Sequence, residues 1–312
     1  MRRRWHWHSS PLPGDAAGAD VCRLLGMSGA PRRVYATFWL IQADDSLAMQ
    51  SRRVPDGTGL GSFARDGSPR VDKRAVAAYE DQAFAREARE VLSKTFIAHI
   101  RYAFTGGLRR ENTHPFEQNG RLLAHNGVLG GLDALEAELG DYRRLVGGDT
   151  DSERFFALAT KRIDEHDGDV SAGLTSAARW VAESLPLYAL NVVLITAREL
   201  WALRYPDTHG LYVLERPATQ QRRRHLDHSS AAGTIHVRSG DLAQAGSVVV
   251  ASEPMDEDPG WRQLAPGELL HVDAHLTTRS TIAVDVEPRH RLTLAELDPG
   301  AARSQQAHPT AG

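Results

Sequence analysis

Cysteine is almost missing from this chain: Cys22 is the only one among 312 residues. A single thiol excludes an intramolecular disulfide and any zinc or iron-sulfur site built from several cysteines. Lysine is scarce as well, with 3 lysines against 34 arginines. The formal net charge of −3 offers no general field for a polyanion, so nucleic acid is not an expected partner. Long apolar runs are also lacking, since the longest, 188–196, is about half of the roughly 20 residues a membrane helix needs. Arginines 2–4 lead into Trp-His-Trp-His rather than an apolar stretch, which is not the pattern of a secretory signal. These absences favour a cytoplasmic protein that engages no membrane. What is present is an ordinary globular composition, 41% hydrophobic and 25% charged, enough for one large core. In such a chain the lone cysteine is either inert packing or the chemistry.

Residues 1–20 show neither a period of 2 nor one of 3.6, and Pro, Gly and Ala dominate after Ser9. Segment 1–21 is therefore expected to be a disordered leader, with regular structure opening at Cys22 in a buried strand over 21–27. Glycine at alternate positions in Asp56-Gly57-Thr58-Gly59-Leu60-Gly61, followed by a hairpin dipeptide at Asp66-Gly67, predicts a close-packed strand and a partner over 71–73. Composition favours a helix over 80–92, then strands over 95–101 and 122–129. Helices are predicted at 132–139, 151–166 and 170–184, stopped by Gly140, near Gly168 and before Pro186. Strand-like runs resume at 189–196, 200–205, 211–214, 234–238, 247–251, 268–272 and 281–286. Helices grouped between sets of strands point to an α+β fold. Arg222-Arg223-Arg224-His225 lies in a polar stretch without periodicity and reads as a solvated loop. Residues 287–312, polar and rich in Ala, Pro and Gly, read as a loose tail.

Four segments resemble one family when taken together and in order. They are Cys22-Arg23-Leu24-Leu25-Gly26; His99-Ile100-Arg101-Tyr102-Ala103; Asn112-Thr113-His114-Pro115-Phe116 with Ala124-His125-Asn126-Gly127; and Gly148-Asp149-Thr150-Asp151-Ser152-Glu153. They are similar to the glutaminase domain of class II glutamine amidotransferases, which are N-terminal-nucleophile hydrolases. Ser252-Glu253-Pro254 with Trp261 extends the resemblance toward the C-terminal half, so one domain over 22–286 is implied. The resemblance implies a four-layer αββα sandwich, a stand-alone amidohydrolase acting on glutamine or a γ-glutamyl small molecule, and no cofactor. Two positions depart from the family pattern: Phe104 stands where a Thr usually follows the Arg-x-Ala stretch, and Thr58 replaces an aromatic residue.

The chemistry such a family performs is attack on an unactivated carboxamide. A thiolate at a chain start suits it, because the residue's own amine can take the thiol proton. A free thiol has a pKa of about 8.5 and an α-amine one of roughly 7.7–8.0, so near neutrality the amine is partly unprotonated. An internal Cys22 carries an amide nitrogen, which cannot act as that base. The preceding Val21 suggests a remedy, because a GTG valine codon can start translation as Met in bacteria and the Arg-rich composition fits a GC-rich gene. A cleaved propeptide would serve equally. By the resemblance, Arg101 would pair with the substrate α-carboxylate and Asp151 with its α-ammonium group, while the Asn126 side chain and the Gly127 N–H would form the oxyanion hole. Individually, the same residues read as a surface arginine, a helix-start aspartate and an Asn-Gly turn.

His99, His114 and His125 lack the i,i+4 spacing of a helical metal site and belong to separate stretches of the family pattern, so metal catalysis is not expected. The glycine run at 57–61 lacks the Gly-Lys-Ser/Thr of a phosphate loop. Fewer than 30 residues follow Val286, too few for a synthase domain. Ammonia would then pass to a separate ammonia-accepting synthase subunit, or the protein would hydrolyse a γ-glutamyl metabolite outright. A catalytically silent γ-glutamyl-binding protein is the alternative if Cys22 is never exposed.

Overall fold

The first strand is buried on both faces, and that sets the architecture. The computed structural model describes residues 22–43, 45–51, 57–74, 78, 80–101, 109–217, 227–229, 236–238 and 245–305, with the backbone alone at 101, 227–229 and 236–238. The expectations for Val21, Asp56, Phe104, the arginine run at 222–224 and the leader lie outside these residues. In chain order the strands of the two main sheets are β1 (Arg23–Ser28), β2 (Gly57–Phe63), β3 (Pro69–Arg74), β4 (Thr95–Arg101), β5 (Phe116–Gln118), β6 (Arg121–Leu129) and β7 (Pro186–Ile195). They continue as β8 (Leu200–Leu203), β9 (Tyr212–Arg216), β10 (Ser247–Ala251), β11 (Arg262–Gln263), β12 (Glu268–Val272), β13 (Thr278–Ile282) and β14 (His290–Arg291). The helices are α1 (Gln82–Glu90), α2 (Leu132–Leu139), α3 (Asp151–Glu165), α4 (Val170–Ser184) and α5 (Pro299–Gln305).

One sheet runs β11-β9-β10-β1-β4-β2-β3, and the second runs β13-β12-β8-β7-β6-β5 with β14 beside β7. Neighbours along both paths pair antiparallel, whereas β14 pairs with β7 in parallel. Side chains of a strand point alternately to the two faces of its sheet. Leu24 accordingly packs in the core between the sheets with Ile97, Leu122, Val193 and Val250, whereas Leu25 and Met27 face the outer layer. Burying each such side chain stabilises the fold by about 1.5–3 kcal/mol. The outer layer on the first sheet is thin, formed by α1 and the segments 38–42 and 47–50 around Phe38, Trp39, Leu40 and Phe84. On the second sheet lie α3 and α4, whose Phe155, Phe156, Leu158, Leu174, Ala178 and Val181 bury against Leu123, Leu190 and Leu194. Helix, sheet, sheet and helix form the four-layer αββα sandwich.

The alternate glycines of β2 have a steric cause. A Cβ on Gly59 would lie 1.8 Å from the His114 carbonyl oxygen and one on Gly61 2.7 Å from a Leu122 methyl, so the strand must be bare on this face for the 112–116 stretch and the second sheet to approach. Gly57, Gly59 and Gly61 pair with Arg101, His99 and Ile97, which holds β4 in register alongside.

Residues 287–305, expected as a loose tail, fold back onto the second sheet. Residues His290 and Arg291 pair with Pro186 and Leu187, the Leu292 N–H donates to the Leu187 carbonyl at 2.8 Å, and Arg291 forms an ion pair with Asp207. Thr293 and Glu296 complete a capping box, and Asp298 accepts from the Gly300 and Ala301 N–H groups at the start of α5. Ala301, Ser304 and Gln305 are buried, and Gln305 Oε1 lies 2.6 Å from His209 Nε2. The polar composition that reads as solvated is spent here on caps and anchoring contacts.

Candidate functional site

Strand parity brings the family-like residues together. Cys22 immediately precedes β1 and shares the parity of Leu24, whose side chain faces the second sheet. In β4, His99 shares the parity of Ile97; in β6, Asn126 shares that of Leu122 and Ala124. All three therefore converge between the sheets. The β6 residues of the opposite parity point to the helices, and His125 accordingly meets the start of α3. Parity, a property of backbone geometry, sorts the residues of His125-Asn126 onto opposite faces.

The Asn126 carboxamide is held by three partners. His99 Nε2 donates to Asn126 Oδ1 at 2.8 Å, and Asn126 Nδ2 donates to the Cys22 carbonyl and, at 3.0 Å, to Ser252 Oγ. The orientation of the amide follows from these partners, because a backbone carbonyl only accepts. Ser252 Oγ also accepts from the Leu24 N–H at 3.0 Å, and the Ser252 N–H donates to the Leu24 carbonyl. Beside it, Arg23 Nε lies 2.9 Å from Glu253 Oε1. The residue that follows Cys22 is thus tied to the end of β10. Gly127 has φ +150, and a Cβ there would lie 1.8 Å from the Ala189 carbonyl oxygen, so only glycine fits beside Asn126.

Asp151 opens α3 behind the N-cap Thr150, whose side chain accepts from the Glu153 N–H at 3.2 Å. One Asp151 carboxylate oxygen accepts from the Leu129 N–H at 2.8 Å and the other from the Ser152 N–H at 2.8 Å. His125 is fully buried, with Nδ1 2.9 Å from Ser152 Oγ and Nε2 3.3 Å from the Ala189 carbonyl oxygen. Burial pushes its pKa down, against the opposing pull of the Asp151 charge and the Ala189 carbonyl. A neutral ring that donates from Nε2 to Ala189 accepts at Nδ1 from Ser152. The Asn112 side chain braces the preceding loop by accepting from the Asp149 N–H at 2.9 Å.

Cys22, Asn126, Gly127 and Asp151 line one cavity of about 510 Å³. Arg101, the last residue of β4, pairs with Gly57, and its side chain lies outside the described residues. Sequence reading gave no role to Ser252 or to the C-terminal segment, although His290, Leu292, Glu296, Ala301 and Gln305 line the same cavity. For Ser252 the signal was the Ser252-Glu253-Pro254 motif; for the segment no signal stands out. Among the described residues, no group of three or more His, Cys, Asp or Glu is arranged to hold a metal ion, and no helix is long and apolar enough to cross a membrane. A thiol, an amide donor and a carboxylate along one cavity can attack a carbonyl, stabilise the resulting oxyanion and bind an ammonium group.

Residues 21–293 match the family described as class II glutamine amidotransferases. A γ-glutamyl-hercynylcysteine sulfoxide hydrolase of Mycolicibacterium smegmatis is 28% identical over 269 residues, spanning 82% of this chain and 98% of the relative. A solved glutamine aminotransferase class-II domain protein of Silicibacter pomeroyi has a TM-score of 0.54 at 21% identity, covering 83% of this chain and 98% of its own. Glutamine phosphoribosylpyrophosphate amidotransferase of B. subtilis, complexed with ADP and GMP, has a TM-score of 0.59 at 18% identity, covering 86% of this chain and 51% of its own. The shared fold is that of the N-terminal-nucleophile hydrolases.

Proposed function

This chain belongs to the class II glutamine amidotransferases, and from that premise we propose that it cleaves the γ-amide bond of glutamine or of a γ-glutamyl metabolite through a thioester on Cys22. The observation that carries the proposal is the single cavity lined by Cys22, Asn126, Gly127 and Asp151. Removal of the residues before Cys22 exposes its α-amine, which takes the thiol proton as sulfur attacks the γ-carbonyl carbon. The oxyanion accepts hydrogen bonds from Asn126 Nδ2 and the Gly127 N–H, while the amine returns the proton to the departing nitrogen. Ammonia or an amine leaves. A water molecule, losing its proton to the same base, then attacks the thioester, releases glutamate and restores the thiol. Asp151 binds the α-ammonium group and Arg101 the α-carboxylate, so a free glutamyl end is required. Likeness to the M. smegmatis γ-glutamyl-hercynylcysteine sulfoxide hydrolase along 98% of its length favours direct hydrolysis over delivery of ammonia to a separate synthase subunit.

Terminal sequencing of protein made from the natural gene, paired with glutamine and γ-glutamyl anilide assays of Cys22→Ala, tests this reading. Active protein should begin at Cys22, and the substitution should abolish turnover and labelling by a glutamine-like electrophile. A fully active preparation beginning at Met1, or turnover surviving the substitution, would overturn it.

A further inference from the structure

The cavity that holds Cys22 is walled in part by a segment beyond the family match, which ends at residue 293. Leu297, Asp298, Ala301, Ser304 and Gln305 all reach it. This wall is anchored: β14 is hydrogen-bonded to β7, Arg291 pairs with Asp207, Tyr205 Oη donates to the Val286 carbonyl at 2.8 Å, and Gln305 meets His209. We propose that residues 292–305 form the subsite for the group carried on the substrate amide nitrogen, and that this group is neutral or cationic rather than a carboxylate-bearing amino acid or peptide. The inference rests on the γ-glutamyl reading above and adds to it the class of the leaving amine.

Volume is the first reason. The cavity measures about 510 Å³, within the roughly 300–1,000 Å³ of pockets that take drug-sized ligands and more than a glutamyl group fills. Where the extra atoms attach follows from the chemistry of recognition. If the α-ammonium and α-carboxylate groups are both read as free charges, substituents on either are rejected, and the amide nitrogen is the remaining place for bulk.

Charge and polarity give the class. Leu292, Leu297 and Ala301 supply apolar surface, and Glu296 and Asp298 supply two carboxylates. The Thr293 N–H and hydroxyl both donate to Glu296 Oε2 and hold its carboxyl below the usual range, so it is charged at neutral pH. His290 Nε2 lies 3.7 Å from Glu296 Oε1, and no Lys or Arg side chain joins the lining among the described residues. A second carboxylate on the leaving group would face like charge, whereas an alkylamine or an aminoalkyl group would not.

The experiment compares kcat/KM for γ-glutamyl-butylamide, γ-glutamyl-putrescine and γ-glutamylglycine, using protein from the natural gene and two variants. In the parent protein both amines should be preferred over γ-glutamylglycine by about tenfold or more. Ala301→Trp, which fills the wall, should cut the ratio of butylamide to glutamine turnover by about tenfold. The double variant Glu296→Gln with Asp298→Asn keeps the capping geometry and removes both charges; it should cut the putrescine-to-glycine ratio by about threefold. Equal or better turnover of γ-glutamylglycine by the parent, or unchanged ratios in folded variants, would overturn the proposal. If a glutamine-like electrophile still labels Cys22 and glutamine is still hydrolysed, that failure belongs to the subsite alone. Loss of labelling and of all turnover in the parent protein would instead bring down the γ-glutamyl reading and this one with it.

Discussion

Replacing Asn126 is the most direct probe of the proposed oxyanion hole. A preorganised donor to an oxyanion is worth about 10²–10³ in kcat, or roughly 3–4 kcal/mol. Here the donor is not idle at rest, because Nδ2 already bonds the Cys22 carbonyl and Ser252 Oγ. Exchanging one of those bonds for the oxyanion forfeits about 0.5–1.5 kcal/mol. The net expectation for Asn126→Ala is a loss of about 2–3 kcal/mol, or roughly 30- to 150-fold in kcat, with KM nearly unchanged because the interaction belongs to the transition state. Alanine also leaves the buried His99 Nε2–H without the acceptor it has now, so a lower urea midpoint accompanies the variant. Asn126→Asp separates the two effects: it preserves shape and the acceptor for His99 while removing both donors. Initial rates of glutamate release, with electrophile labelling as a count of intact sites, give kcat per competent molecule. If both variants, normalised this way, stay within about threefold of the parent kcat, Asn126 is not the donor.

Asp151→Asn keeps an acceptor for the Leu129 N–H but loses the charge, so KM for glutamine should rise by about tenfold while N-acetylglutamine is unaffected; equal effects on both would remove Asp151 from ammonium recognition. Lys73, half-buried with its Nζ 4.8 Å from the Phe116 ring centre, has its pKa lowered by desolvation from 10.5 to about 8. Below about pH 8 the folded state holds a cation it disfavours, and at about 1.4 kcal/mol per pH unit the cost approaches roughly 3 kcal/mol, offset by about 0.5–1 kcal/mol of cation–π attraction. Lys73→Met should therefore stabilise by about 2 kcal/mol in urea at pH 7, with the gain shrinking at pH 9.5; destabilisation, or a gain independent of pH, would refute this. Burial depresses the pKa of His125 and His209. As pH falls below about 6.5, the unfolded chain takes up protons before the folded one, so stability is lost toward acid. The urea midpoint should drop between pH 7.5 and 5.5, and His209→Gln should make that drop smaller.

The strands and helices around the site were legible because their signals are local. Short apolar or β-rich runs marked β1, β4 and β6, and a helix-start aspartate beside Thr150 with a stop near Gly168 marked α3. The stretch 38–42 escaped because Phe38-Trp39-Leu40-Ile41-Gln42 is apolar without a period, and it folds as a single wide helical turn under Trp261. The grouping of Cys22, Asn126, Gly127 and Asp151 was expected from resemblance rather than from physics, and no site role was expected of His99. Pairings such as Gly26 with Ile97 or Asn126 with Asn191 are long-range, and no spacing in the sequence encodes them. The C-terminal segment was illegible for a different reason. Its ordering depends on partners at Leu187, Asp207 and His209, about 85–105 positions earlier, whereas composition reports only the segment's own polarity.

Cys22 and Gln305, near opposite ends of the chain, both line the candidate cavity, and this governs how the protein can be handled at the bench. An affinity tag ahead of Cys22 would block the amine on which the proposed chemistry depends, and an insertion directly after Gln305 would start at the rim of this cavity. Immobilisation, fluorophores and epitope insertions are better directed to the hairpin joining β2 to β3, where Arg65, Asp66 and Ser68 are exposed. That turn lies at the opposite end of β2 from Gly57, about 20 Å along the strand at roughly 3.3 Å per residue, on the sheet edge farthest from β11.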